Sequence, residues 1–473
     1  MILISANAHG HCEGSFMKNM FKVRILPLDQ TEAESSTTII ISSDLSKQTN
    51  TSHGQKITLI AGNRVVDCII HVSSSKEQST IHCAAAILEG LFLPMDSFTI
   101  FINIHSNKNI WELGPFVGIV TDRIHNNHFG TIQAFLEELQ AYGNERHILV
   151  YPFHFENLHR DYVDGYIYSL ANNNWIKANL PVPHVVHNRI HSRLIERSEK
   201  AKHFFEELNK AKIPYFNERF LNKWHVYEAL SGHEHLLPYL PETKLLNGRK
   251  TFEEMVNKHD LLFLKPVHGS QGKNIFKVEP KEQNFLLDYS TLSGEIEKEY
   301  STMQLLYEAI QPRLQKQRYI IQQGIPLLAY EEERPLDFRL LCHRISETDW
   351  GVTSTVARVS SKNEFVSNLS RGGELFKIDK ALVGHFDKKT ILQINQLLKE
   401  IAIETALIID NHADGIYGEF GIDLAIDKEG KPWIIEINTK PSKNQDPEGF
   451  NPKVRPSAKA ILNYCHSLTG WRL

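Results

Sequence analysis

Asp423, Glu436 and Asn438 carry the strongest chemical signature in this chain. They fall in a segment from Gly418 to Asn438 that reads as a strand, a tight Asp-Lys-Glu-Gly turn and a second strand, with an acidic residue on each arm. Glu436 and Asn438 are separated by one residue, so a strand turns both to the same face. Ile434, Ile435 and Ile437 surround them with apolar surface, where a carboxylate is costly unless a cation compensates it. Mg2+ suits such a set, because it takes hard oxygen ligands and is usually held by one or two carboxylates together with phosphates. An ordinary hairpin with an exposed edge would explain the same residues, and both readings stay open on this segment alone.

Three further clusters could bind anions. An apolar run at 261–264 delivers Lys265, and a loop containing Gly269, Ser270, Gly272 and Lys273 follows. A lysine at the end of a buried strand needs an anion. Glycines let backbone N–H groups approach phosphate oxygens closely. The loop is not a Walker A motif, since GxxxxGK[ST] is absent, and a plain hairpin turn is its alternative. Asp337 and Arg339 alternate along another apolar strand, where Arg339 could grip a phosphate or carboxylate through two hydrogen bonds. A surface pair between Asp337 and Arg339 is the competing explanation. The fourth cluster, Asn368-Leu-Ser370-Arg371-Gly372-Gly373, reads as a flexible loop near a ligand, with Arg371 either a second cation for a substrate carboxylate or a solvated loop residue.

These residues need a scaffold, and 473 residues suffice for roughly three domains. Residues 1–110 read as a β-rich domain built from β-branched runs at 37–41, 56–61, 64–72 and 97–104, with a polar loop at 46–54. Residues 111–218 alternate strand (116–120, 147–152, 162–169) and helix (131–141, 194–212), which implies a parallel α/β unit. Residues 219–473 hold every cluster described above. The fold class is therefore α/β and α+β, multidomain. Hydrophobic residues make up 41% of the chain, which excludes global disorder, and a formal charge of −4 leaves no electrostatic footprint for nucleic acid or an anionic membrane. The five cysteines are scattered without a Cys-x-x-Cys pair, so neither a zinc site nor a disulfide framework is expected. The first twenty residues lack the apolar core of a secretory signal, and no apolar run approaches a membrane span, so synthesis in the cytoplasm is expected.

Taken in order, Asn222-Lys223-Trp224, Lys265-Pro266, Asp337-Phe-Arg339, Asn368 to Gly373 and Asp423 to Asn438 resemble the ATP-grasp superfamily over residues 220–445. Trp111, Gly114-Pro115, Gly118-Ile119, His187-Asn188-Arg189 and Glu436-Ile-Asn-Thr-Lys-Pro441 extend the likeness over nearly the whole chain, to the YheC/YheD group of spore-coat-associated ATP-grasp proteins. The resemblance implies a pre-ATP-grasp domain at 111–218 and a two-lobed ATP-grasp domain at 219–473. It implies that Lys223 and Lys265 touch ATP phosphates, that the loop containing Gly269, Ser270 and Gly272 is a lid, and that Gln322, Gln323 and Ile325 form the adenine hinge. Relatives often carry acidic residues at that hinge, and the peptide-making ones often follow the last motif with Pro-Gly, where this chain has Pro441-Ser442-Lys443. The resemblance further implies Mg2+ on Asp423, Glu436 and Asn438, with Arg339 at the transferred phosphoryl group. The expected activity is an ATP-dependent carboxylate–amine ligase acting through an acyl phosphate. Its partners would be a small-molecule or peptide carboxylate, an amine acceptor and other spore-coat proteins. A nucleotide-binding or structural coat protein and an ATP-grasp kinase are the alternatives.

Overall fold

The computed structural model describes residues 19–28, 35–74, 78–105, 109–125, 127–169, 174–269, 274–291, 294–331, 334–360, 373–443 and 453–471. The chain divides into two compact units, Met1–Phe216 with Leu462–Leu473, and Asn217–Ile461. No helix among the described residues is long and apolar enough to cross a membrane.

In the first unit, seven strands between Met20–Pro27 and Ile110–Gly114 close into a barrel. Alternation explains the closure: Val23 and Ile25, Ile39 and Ile41, Ile57 and Leu59, and Ile100, Ile102 and Ile104 point inward and are buried. Part of the expected polar loop at 46–54 is instead the end of a helix, Ser43–Thr49. Its N-cap, Ser42, accepts a hydrogen bond from the Leu45 amide and lies just outside the polar run, which is why composition concealed it.

A six-stranded sheet follows, in the order 174–180, 163–169, 149–158, 116–121, 185–188 and 215–216. The four strands from Leu149–Leu158 to Tyr215–Phe216 are parallel, as alternation implied, whereas Val163–Ser169 and Asn174–Leu180 add antiparallel at the other edge. The strand Phe116–Thr121 is buried throughout. The expected helix at 194–212 is two helices, Arg193–Glu196 and Glu199–Lys210, because Ser198 caps the second.

The second unit contains two antiparallel sheets. One has the order 243–245, 319–323, 262–266, 276–280, 285–291 and 294–300, and the helices Arg249–Val256 and Met303–Leu314 share its core. The other is centred on Arg334–Arg344, flanked by Trp350–Val359 and by Glu419–Ile426, with Pro432–Asn438 beyond. The helix Lys388–His412 buries Ile391, Ile394, Leu398, Ile401 and Ala402 in the core of this second sheet. Two sheets, each with its own helices and core, make the two-lobed C-terminal region.

Candidate functional site

The second sheet brings the acidic residues together through register. Asp423 lies opposite Glu436, and Gly421 opposite Asn438, on neighbouring antiparallel strands. Directly opposed residues share a face, so both carboxylates and the amide project to one side. The turn between these strands forms because Asp427 accepts the amides of Glu429 and Lys431 at 3.2 and 2.9 Å, while Gly430 takes a positive φ of 85°.

Arg339 lies opposite Asp423 on the central strand and grips its carboxylate through Nε and, at 2.8 Å, Nη2. Arg358, a residue that sequence reasoning missed, reaches the same carboxylate at 3.1 Å and holds Asp337 through two hydrogen bonds of 2.5 and 2.8 Å. All four side chains are buried. The structure therefore gives Asp337 and Arg339 different partners and removes both from the surface. A signal existed in the sequence, since Arg358 interrupts the apolar run Val356-Ala357-Arg358-Val359.

The lysines come from the first sheet and from a helix. Lys265 is the penultimate residue of the strand Leu262–Pro266, and its ammonium donates to Gln322 Oε1 at 2.6 Å. The Gln322 amide in turn donates to Thr243 Oγ1 at 3.0 Å. Lys223 begins the helix Lys223–Ser231, capped by Asn222. Its ammonium meets Glu436 at 2.5 Å and the Gly269 carbonyl at 3.2 Å, joining the two sheets' contributions. Lys223 thus ties Glu436 to Gly269, Lys265 pairs with Gln322 and Arg339 with Asp423, and the charges of Lys223, Lys265 and Asp423 all act on Glu436. Gln323 turns its carbonyl to the Glu242 amide at 3.2 Å, and Ile325 follows in the chain segment leaving that strand. Gly324 is required between them, because a Cβ there would lie 2.2 Å from Leu261 Cγ. Ser270, Gly272 and Arg371 lie outside the described residues.

Electrostatics keep the two carboxylates of this set charged. Burial pushes the Asp423 carboxyl up, but the Arg339 and Arg358 guanidiniums overcome it and hold the group below the ordinary carboxylate range. Burial and the Asp423 charge also push Glu436 up, and the Lys223 and Lys265 ammoniums bring it below its usual value. Lys265 moves the other way: burial, helped by the Lys223 charge and opposed by Glu436, lowers it to about 8. Among the described residues no group of three His, Cys, Asp or Glu side chains is placed to hold a metal ion. A dication here would rest on two ionised carboxylates and the Asn438 amide. Mg2+ completes such a partial shell with water or phosphate oxygens, so the donor set fits it.

One antiparallel sheet carrying Lys265, a helix that starts at Lys223 and a second antiparallel sheet with a carboxylate–guanidinium face make up a two-lobed ATP-grasp organisation. The family described as YheC/D like ATP-grasp matches residues 212–468, more than half of the chain, and the chain belongs to that family. It is 26% identical over 391 residues to the endospore coat-associated protein YheD of Bacillus subtilis (strain 168), covering 81% of this chain and 84% of that one. To the endospore coat-associated protein YheC of the same organism it is 23% identical over 282 residues, covering 59% and 77%. Among solved structures, the VanG D-Ala:D-Ser ligase from Enterococcus faecalis is similar at a TM-score of 0.43 and 13% identity, over 75% of this chain and 99% of that one.

Proposed function

We propose that this protein binds Mg–ATP and uses it to activate a carboxylate for ligation to an amine, in association with the spore coat as its relatives' names describe. The observation carrying this reading is the linked set Lys265–Gln322, Lys223–Glu436 and Arg339–Asp423–Arg358, in which ionised carboxylates and cations converge. Lys223 and Lys265 would hold the phosphates, and Gln322, Gln323 and Ile325 would border the base. Asp423, Glu436 and Asn438 would hold Mg2+, which supplies charge neutralisation between the phosphoryl groups. Arg339, together with Arg371, would steady the transferred phosphoryl group and the substrate carboxylate.

The reaction needs no protein nucleophile. A substrate carboxylate oxygen attacks the γ-phosphorus, the bond to the bridging oxygen breaks, and ADP leaves. An amine then attacks the acyl carbon, phosphate departs with the carboxylate oxygen, and the nitrogen loses a proton. The protein contributes position and charge, both effective in a site shielded from water. Hydroxylamine tests the step directly, because it captures an acyl phosphate as a hydroxamate. Purified protein with Mg–ATP, hydroxylamine and pooled amino acids or short acidic peptides should yield ADP and hydroxamate together. Tight ATP binding without turnover across that screen would refute the ligase and leave a nucleotide-binding coat protein. ADP with a phosphorylated hydroxyl would replace the ligase by a kinase.

A further inference from the structure

The face that carries Asp423 continues toward the start of its strand, and a second charged cluster occupies that end. His343 lies opposite Glu419 as Arg339 lies opposite Asp423, four residues along the same two strands, so both pairs share a face. Glu419 is fully buried. It accepts from the Lys443 ammonium and, at 3.0 Å, from the Asn217 amide, with His343 Nε2 at 3.5 Å. The Asn217 carbonyl oxygen accepts the backbone amides of Gly418 and Glu419 at 3.0 and 3.3 Å. The Lys443 side chain has no exposed surface, and its carbonyl accepts from Arg455.

Gly421 stands between the two clusters. A Cβ on it would lie 2.7 Å from Pro441 Cβ and 3.4 Å from Arg339 Cδ. The chain leaving Asn438 therefore doubles back over Gly421, across the sheet face, and ends with Lys443 seated on Glu419. A buried ion pair is a weak source of net stability, since apolar replacements often serve as well. This one instead fixes where a strap of five residues lies, directly after the two candidate metal ligands of the strand Pro432–Asn438.

We infer that Lys443 is a positioning residue: anchored on Glu419, it holds residues 439–443 as a wall of the site and fixes Glu436 and Asn438 in the geometry a dication requires. The metal part of this inference rests on the proposed Mg–ATP function. Lys443→Met alone leaves a charged Glu419 buried and is expected to unfold the unit. The test therefore uses the double variant Lys443→Met with Glu419→Gln, which removes both charges, and separately Gly421→Ala, which displaces Pro441. Each is measured for thermal stability, ATP binding without metal, the Mg2+ concentration that half-saturates its effect on ATP binding, and amide hydrogen exchange over 436–443. Folded variants should bind metal-free ATP within twofold of the parent. Their Mg2+ requirement should rise about tenfold, as for lost supports of metal ligands, and the strap amides should exchange faster. A Mg2+ requirement and an exchange rate both within twofold of the parent would overturn the inference and leave Lys443 a stability residue. If the parent's ATP binding does not respond to Mg2+, the functional reading fails instead. Exchange over 436–443 then decides the positioning: faster exchange upholds it and unchanged exchange overturns it.

Discussion

Raising the pH through 8 should discharge Lys265 in the free protein, and nucleotide binding should restore its proton. The lysine is held near 8 because burial and the Lys223 charge disfavour its ammonium. Phosphate oxygens would return it toward the ordinary lysine value of roughly 10.4. The protonated fraction of the free protein is then about 0.9 at pH 7, 0.5 at pH 8 and 0.1 at pH 9, while the complex stays almost fully protonated. Binding therefore takes up about 0.1, 0.5 and 0.9 proton at these pH values, and the ATP dissociation constant rises about tenfold between pH 7 and 9. The phosphate's own second ionisation lies near pH 6, below this window. Titration calorimetry in buffers of different ionisation enthalpy reads the proton uptake, and direct titration reads the affinity. Lys265→Arg keeps a cation that does not titrate here, so its affinity should be flat over the same range. Without nucleotide the sign reverses: the unfolded chain keeps a proton that the folded one has released, so stability should increase with pH from about 8 toward 10.4. A parent affinity constant from pH 7 to 9, with no buffer-dependent heat, would refute the placement of Lys265 against phosphate.

Glu436→Gln keeps the shape of its side chain but removes a carboxylate from the candidate dication site, so the Mg2+ needed to strengthen ATP binding should rise tenfold or more in a titration of nucleotide affinity against metal. Arg358→Met leaves Asp337 and Asp423 buried with a partner missing, and urea denaturation should show a loss of about 3–5 kcal/mol, part of which Asp337→Asn restores. Asp423 and Glu436 are both held below their ordinary values, so the stability they contribute is present above the usual carboxylate range and lost as pH falls below it. Denaturation midpoints between pH 3 and 6 should therefore slope less steeply in Asp423→Asn than in the parent.

The sequence exposed those parts of the site whose geometry is local. Glu436 and Asn438 share a face because strand period is two, and the Asp427 turn is written in four consecutive residues. Lys265 stands out because it ends an apolar run. What stayed hidden was pairing between distant strands. Asp337 and Arg339 look like partners at a spacing of two, yet register gives Asp337 to Arg358, 21 residues away, and Arg339 to Asp423, 84 residues away. The barrel hides its closure for the same reason, since Met20–Pro27 pairs in parallel with Thr80–Cys83. No local pattern encodes such a pairing; the burial of alternate residues on many strands selects it collectively.

Charge balance in the site gives these distant pairings a purpose under the proposed function. Glu436 sits beside Asp423, and each carboxylate raises the cost of ionising the other, so a site built from carboxylates alone would protonate or open. Lys223 meets Glu436 at 2.5 Å, and Arg339 and Arg358 divide Asp423 and Asp337 between them, which keeps Glu436 and Asp423 ionised. Binding Mg–ATP then becomes an exchange of partners. Under that function Glu436 would exchange the Lys223 ammonium for the dication, which would supply charge neutralisation, and the ammonium, already at the Gly269 carbonyl, would turn to a phosphate oxygen. Asp423 need not give up its guanidiniums, because each carboxylate oxygen has a second lone pair to offer. The site can thus stay folded and charged whether or not nucleotide is bound, and the two buried arginines, one of them outside every cluster the sequence shows, are what permit it.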